Sequence, residues 1–117
     1  MTDPKELDRL DRLMAEAMGW KRRQPPAGVY YAGDYYTLPG GGDRFGFSPT
    51  RNADDRDAVD DWVVGKGCWT EFFCSRLVGA SFLYRINWEK GFVVGKAHTR
   101  GEAVCRAVEK MMEEKKP

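Results

Sequence analysis

Ten prolines and glycines fall between Pro25 and Pro49: Pro25, Pro26, Gly28, Gly33, Pro39, Gly40, Gly41, Gly42, Gly46 and Pro49. Proline lacks a backbone donor and its ring clashes with the preceding helical turn, while glycine weakens a helix by about 1 kcal/mol relative to alanine. No sustained helix survives that density of breaks. The chain must therefore be built from helix- and strand-forming stretches on either side of residues 21–51, a Pro/Gly/Tyr-rich insert. Within the insert, Val29–Tyr31 and Tyr35–Leu38 have the composition of short strands paired across Ala32–Asp34. The stretch GGGDRFG resembles a phosphate-cradling loop only loosely, because no Lys-Ser/Thr and no helix follow it; it reads as a hairpin tip.

Before the insert, TDPKELDRLDRLMAEAMGWK predicts an amphipathic helix. Asp3 can cap it, Pro4 suits the first helical position and Glu6 completes a capping-box-like start. Leu7, Leu10, Met14 and Ala17 recur at helical spacing, with Asp8, Arg9, Asp11, Arg12 and Glu16 assigned to the opposite side. Gly19 stops the helix. After the insert, Asn52 or Asp54 caps a second helix with the stripe Ala58, Val59, Trp62 and Val63, ended by Gly65. Asp54, Asp55 and Asp57 suit the positive end of its dipole, and the same acidity marks this helix start as a poor phosphate site. Phe82, Tyr84, Ile86 and Trp88 then alternate with Leu83, Arg85 and Asn87, the period of a strand with one buried face. Glu89–Gly91 turn the chain into a returning strand at Phe92–Val94, and Trp69–Leu77 supply a third strand with Gly79 at the bend. Thr99 and Glu102 form a capping box for a last helix carrying Val104, Ala107, Val108 and Met111. The expected architecture is α+β: a three-stranded or slightly larger antiparallel sheet packed with three helices, in the order α-(β)-α-β-β-β-α, as one domain over residues 1–117. The expected core is Leu7, Leu10, Trp62, Phe82, Ile86, Val104 and Val108.

Composition removes several function classes. Nineteen basic and 18 acidic residues leave a net charge of +1, which counts against a partner bound through its phosphate backbone. The three cysteines, Cys68, Cys74 and Cys105, are neither paired as C-x-x-C nor even in number, which argues against a zinc site or a disulfide framework and for thiols in a reducing cytoplasm. No apolar run approaches the length of a signal or membrane segment. His98 is the sole histidine. A Cys/His dyad with Cys74 or Cys105 would need them to meet in space, and the pattern speaks for no enzyme, no metal and no cofactor.

ELDRLDRLMAEAMGW, with Met18-Gly19-Trp20, resembles the opening of the phage ABA sandwich domain family. The second-helix segment SPTRNADDRDAVDDWVV and the last-helix start Thr99, Glu102, Ala103, Cys105, Arg106 and Ala107 also fit that family in order and distance. The resemblance covers the first 20 residues and most of 48–112, and the interval between Trp20 and Ser48 holds the tyrosine cluster. It implies a phage origin and this fold, and transfers no catalytic residue.

Four tyrosines, Tyr30, Tyr31, Tyr35 and Tyr36, fall within seven residues, with Arg44 and Arg51 following. Tyrosine offers a large apolar face and a hydroxyl at low rotamer cost, so it suits interfaces. Strand alternation would sink one member of each tyrosine pair and leave the other for a ligand. The expected function is that of a non-enzymatic phage accessory protein binding a host component to blunt antiviral defence. It would act as an anti-CRISPR-type protein binder, or by sequestering a nucleotide between tyrosines and arginines. A nucleic-acid-binding module is the alternative, followed by a small hydrolase. A homodimer through a sheet edge or the tyrosines is compatible with the sequence.

Overall fold

Three helices and two three-stranded antiparallel sheets follow one another as α-β-β-β-α-β-β-β-α. The computed structural model describes residues 2–30, 33–75 and 81–114. The first helix, α1, spans Pro4–Ala17. Asp3 caps it by accepting the Lys5 N–H at 2.8 Å. Its C-terminus closes in a Schellman arrangement, with Gly19 N–H donating to Glu16 O at 3.0 Å and Trp20 N–H to Ala15 O at 2.9 Å. Gly19 sits at φ +82°, a left-handed value that a side chain would strain.

The Pro/Gly-rich insert folds into a small sheet of its own: β1 (Lys21–Arg23), β2 (Tyr35–Thr37) and β3 (Asp43–Phe45), in the order β1-β2-β3. The expected hairpin between Val29–Tyr31 and Tyr35–Leu38 is not formed. Val29 and Tyr30 lie outside any strand, Tyr31 falls outside the described residues, and Tyr35–Thr37 pair instead with Lys21–Arg23 and Asp43–Phe45. Strand-like composition at Val29 lost to the turn set by Pro26 and Gly28, where Val29 N–H bonds Pro26 O at 3.0 Å.

The second helix, α2, covers Ala53–Gly65, capped by Asn52, whose side chain accepts from Asp55 N–H. The second sheet is a meander of β4 (Trp69–Ser75), β5 (Ser81–Trp88) and β6 (Gly91–Ala97) in that spatial order. The expected third strand over Trp69–Leu77 is present as far as Ser75; Leu77 and Gly79 lie outside the described residues. The third helix, α3, spans Arg100–Glu114 and lies across β5 and β6, with α1 packed on its flank. Sheet and helix touch backbone to backbone at Gly95. A methyl group there would stand 2.1 Å from the Ala103 carbonyl oxygen and 2.4 Å from the Ala107 nitrogen. Small residues at Gly95, Ala103 and Ala107 are what let the helix settle so low.

Leu10, Met14, Val59, Val63, Tyr84, Ile86, Val104, Val108 and Met111 form the core, with Trp62 and Phe82 partly buried at its edge. Leu7 is half-buried and outside that cluster. Asp11, expected on the solvent side of α1, is instead buried: it accepts from Thr50 N at 2.9 Å and Thr50 Oγ at 3.0 Å. It faces inward because it stands one helical turn from both Leu7 and Met14, and its hydrogen bonds make that burial tolerable. Burial pushes its carboxyl up from the ordinary range against the pull of those bonds.

Glu6 does not complete a capping box. Its carboxylate takes Arg9 at 2.6 Å and Arg106 at 3.0 Å, inside a chain of charges that runs on to Glu109 and Glu102 and joins α1 to α3. The hydrogen bond from Arg9, with that from Arg106, holds the Glu6 carboxyl at about 2 rather than 4.5. A lowered folded-state pKa contributes stability above the unfolded value and loses it as pH falls toward the folded one. The melting temperature of the wild type is therefore expected to decline between pH about 4.5 and about 2, with Glu6→Gln flattening that limb. Thermal scans across this window check it, and the effect is small because the pair faces solvent. Asp11 titrates with the opposite sign and is common to both proteins.

No helix among the described residues is long and apolar enough to cross a membrane.

Candidate ligand-binding cavity

The start of α3 is pressed against the segment that leads into α2. A methyl group at Gly101 would stand 2.3 Å from the Pro49 carbonyl oxygen and 2.6 Å from that of Thr50. This close approach sets two helix N-termini side by side, and a cavity of about 480 Å³ opens between them. Arg51, Arg56, His98 and Arg100 line it, with Asn52 and Thr99, the two capping residues, and Phe82 from β5. No carboxylate is among its described lining residues. The acidic residues that the sequence places at the α2 start lie off this cavity. Asp55 turns toward Ser48 N at 2.9 Å and toward Arg44, and Asp54 and Asp57 do not line the cavity.

The four cationic or titratable groups differ in how they are held. Arg51 is engaged by Asp8 and, at 3.4 Å, by the buried Asp11. Arg56, mostly covered, meets its neighbour Asp57 at 3.4 Å. Arg100 lies 5.5 Å from the centre of the Phe82 ring and pairs with no carboxylate among the described residues. His98 is exposed at the end of β6. Thr99 Oγ accepts from Glu102 N–H at 3.2 Å, and Ala103 N–H takes the Thr99 carbonyl at 3.1 Å. The Arg100 and Gly101 N–H groups have no acceptor among the described residues. Two helix dipoles thus add partial positive charge to a cavity already walled by arginine.

Of the predicted binding residues Tyr30, Tyr35, Tyr36, Arg44 and Arg51, only Arg51 is among the described lining of this cavity, and His98, weighed from sequence as a dyad partner, joins it there. Tyr36 is 2% exposed and belongs to the core, its ring 6.0 Å from Trp20 and its hydroxyl 3.4 Å from Asp34. Burial, with the Asp34 carboxylate beside it, pushes its phenol up to about 12. Tyr35 points to the other face of the small sheet and is outside the core cluster, as alternation requires, yet it is only 5% exposed because Phe45 covers it at 4.8 Å. The expected division into one buried and one available tyrosine therefore fails at this pair: a cross-strand partner shields the outward ring. Tyr30 is 92% exposed, and Tyr31 lies outside the described residues. Arg44 is committed to Asp55 and stacks over Trp20 and Phe47 at 5.5 and 5.3 Å; it fastens the small sheet to α2.

Arg56, Arg100 and Phe82 were not legible as site residues. Arg51 and Arg56 flank the Asn52 cap and Arg100 follows the Thr99 cap, so a weak signal existed in two basic helix starts. Only the contact at Gly101 makes them one site. Cys105, one candidate nucleophile, is fully buried with its thiol pushed up by burial, the wrong direction for thiolate chemistry. Cys74 is exposed on β4, which is separated from β6 and His98 by β5. Comparison of the chain with family models, with curated proteins and with solved structures returned no match, so the reading of the cavity rests on its geometry.

A second surface stands apart from it. Strand register places Trp69, Asn87 and Phe92 in one row of the second sheet and Glu71, Arg85 and Val94 in the next. Trp69 and Phe92 are each 55% exposed. Arg85 lies 3.9 Å from the centre of the Phe92 ring and donates to Asn87 Oδ1 at 2.6 Å.

Proposed function

We propose that this protein binds, without turning over, a small phosphorylated ligand of the nucleotide class in the cavity between the starts of α2 and α3. The observation that carries the reading is an acid-free wall of Arg51, Arg56 and Arg100 with His98, set against one aromatic ring, Phe82. Arginine presents a planar fork of donors that matches phosphate oxygens, helix starts favour anions, and Phe82 offers a face on which a base can stack. The volume falls within the range of small-molecule sites. Joined to the resemblance to phage proteins, this favours sequestration of a host nucleotide signal over direct chemistry on it.

Isothermal titration with nucleoside mono- and triphosphates and with cyclic mono- and dinucleotides tests the reading, alongside mass spectrometry of ligand released from purified protein. At least one nucleotide is expected to bind, and Arg56→Ala or Arg100→Ala to weaken it about tenfold or more, as loss of one charge-assisted contact would. Tyr36→Phe should leave affinity unchanged. Silence across the whole panel, with no released ligand, would overturn it.

The exposed row of Trp69 and Phe92 with Arg85 supports a second reading, direct binding of a host protein, since Trp and Arg with exposed aromatics are enriched at binding hot spots. Trp69→Ser would then abolish partner capture while leaving nucleotide affinity intact.

A further inference from the structure

The second sheet has two edges, β4 and β6, and the molecule treats them differently. On β6, Lys110 from α3 donates its Nζ to the Val94 carbonyl at 2.8 Å, and Lys96 is exposed on the strand. An edge occupied by lysine is a poor template for another strand. On β4, no backbone group bonds to any described element but β5. Trp69–Ser75 holds no Lys, Arg or Pro, and its one charge is Glu71. Apolar rings project from both faces of the strand: Phe72 shares a face with Tyr84, at 4.7 Å, and Phe73 shares the opposite face with Leu83. Both phenylalanines are close to half exposed.

We infer that β4 pairs antiparallel with β4 of a second copy of this chain about a two-fold axis at Phe72, making one six-stranded sheet. A two-fold axis between antiparallel strands must pass between a residue and its own copy, so the registers are few. Centring on Phe72, the midpoint of the strand, sets all seven residues opposite a partner: Trp69 against Ser75, Thr70 against Cys74, and Glu71 against Phe73. Centring on Glu71 would instead oppose two carboxylates, which is destabilising. The midpoint register is thus the one that pairs the whole strand, and it sets the single charge, Glu71, against Phe73 rather than against its own copy. The outward backbone donors and acceptors along β4, which no described residue engages, are satisfied by their own copies in the mate.

Sedimentation velocity and light scattering on the full chain test this. A species of twice 13.3 kDa is expected, giving way to the monomer on dilution. Phe72→Lys, which places a charge at the axis, is expected to halve the mass, with circular dichroism confirming that the fold is kept. In a Cys74→Ser background, Phe72→Cys is expected to give a covalent dimer with a short bis-maleimide cross-linker, because directly opposed residues have Cβ atoms roughly 4.5–5.5 Å apart; Phe92→Cys on the far strand should not. A monomer at every concentration up to about 100 µM would overturn the inference. So would a dimer that survives Phe72→Lys and whose Phe72→Cys form fails to cross-link, since the interface would then lie elsewhere.

Discussion

Gly95→Ala is expected to lower the stability of this protein by about 3 kcal/mol or more, or to prevent folding, although it adds a single methyl group. The new Cβ would stand 2.1 Å from the Ala103 carbonyl oxygen and 2.4 Å from the Ala107 nitrogen. Both are main-chain atoms in the middle of α3, so no side chain can swing aside to make room. Relief would require α3 to rise from β5 and β6, opening the contacts that bury Val104, Val108, Tyr84 and Ile86. Urea denaturation monitored by tryptophan fluorescence measures the change. Gly40→Ala is the control: a Cβ there meets nothing within 4 Å and the backbone has no left-handed φ, so its midpoint should scarcely move. A Gly95→Ala midpoint equal to that of wild type would show that α3 does not sit directly on β6.

Leu10→Ala should cost about 2–5 kcal/mol, the sum of lost transfer energy and an unfilled cavity. Leu10 is fully buried in the central cluster, on the helix that packs against α3. The neighbouring Asp11–Thr50 bonds hold that stretch of α1 in place, so the structure cannot collapse freely into the space. Leu7→Ala, at a half-buried position outside the cluster, should cost distinctly less. A fall in urea midpoint at constant m-value is the expected signature, because the surface exposed on unfolding scarcely changes. An unshifted midpoint would show that α1 is not docked.

The helices could be read from the chain because their signals are local. Pro4 and Gly19 bracket α1, the Val59–Val63 stripe defines the inner face of α2, and the Thr99 cap opens α3. The meander was equally legible, since Tyr84 and Ile86 are buried on either side of half-buried Arg85, at the period of a strand. Of the small sheet, the strand expected at Tyr35–Leu38 is present as β2, but β1, β3 and the pairing were not legible. Its strands are three residues long, and β1 is made of Lys21, Arg22 and Arg23, a composition that carries no strand preference. What forms it is tertiary: Tyr36 and Phe47 bury against Trp20, and Arg44 reaches Asp55. The tyrosine reading faltered for the same reason, because alternation tells which way Tyr35 points but not that Phe45 will lie over it. The cavity depended on a contact between residues some fifty positions apart, at Gly101 and Pro49, which no local pattern announces.

The charge chain from Glu109 through Arg9 and Glu6 to Arg106 and Glu102 ties the first helix to the last. During vectorial synthesis α1 leaves the ribosome with its docking surface still unmade, and it must wait for α3 before Leu10 and Met14 can be covered. Such closure of a long loop slows folding relative to local contacts. Until α3 has emerged from the ribosome, the nascent polypeptide exposes an apolar stripe, and chaperone engagement should be concentrated in that interval.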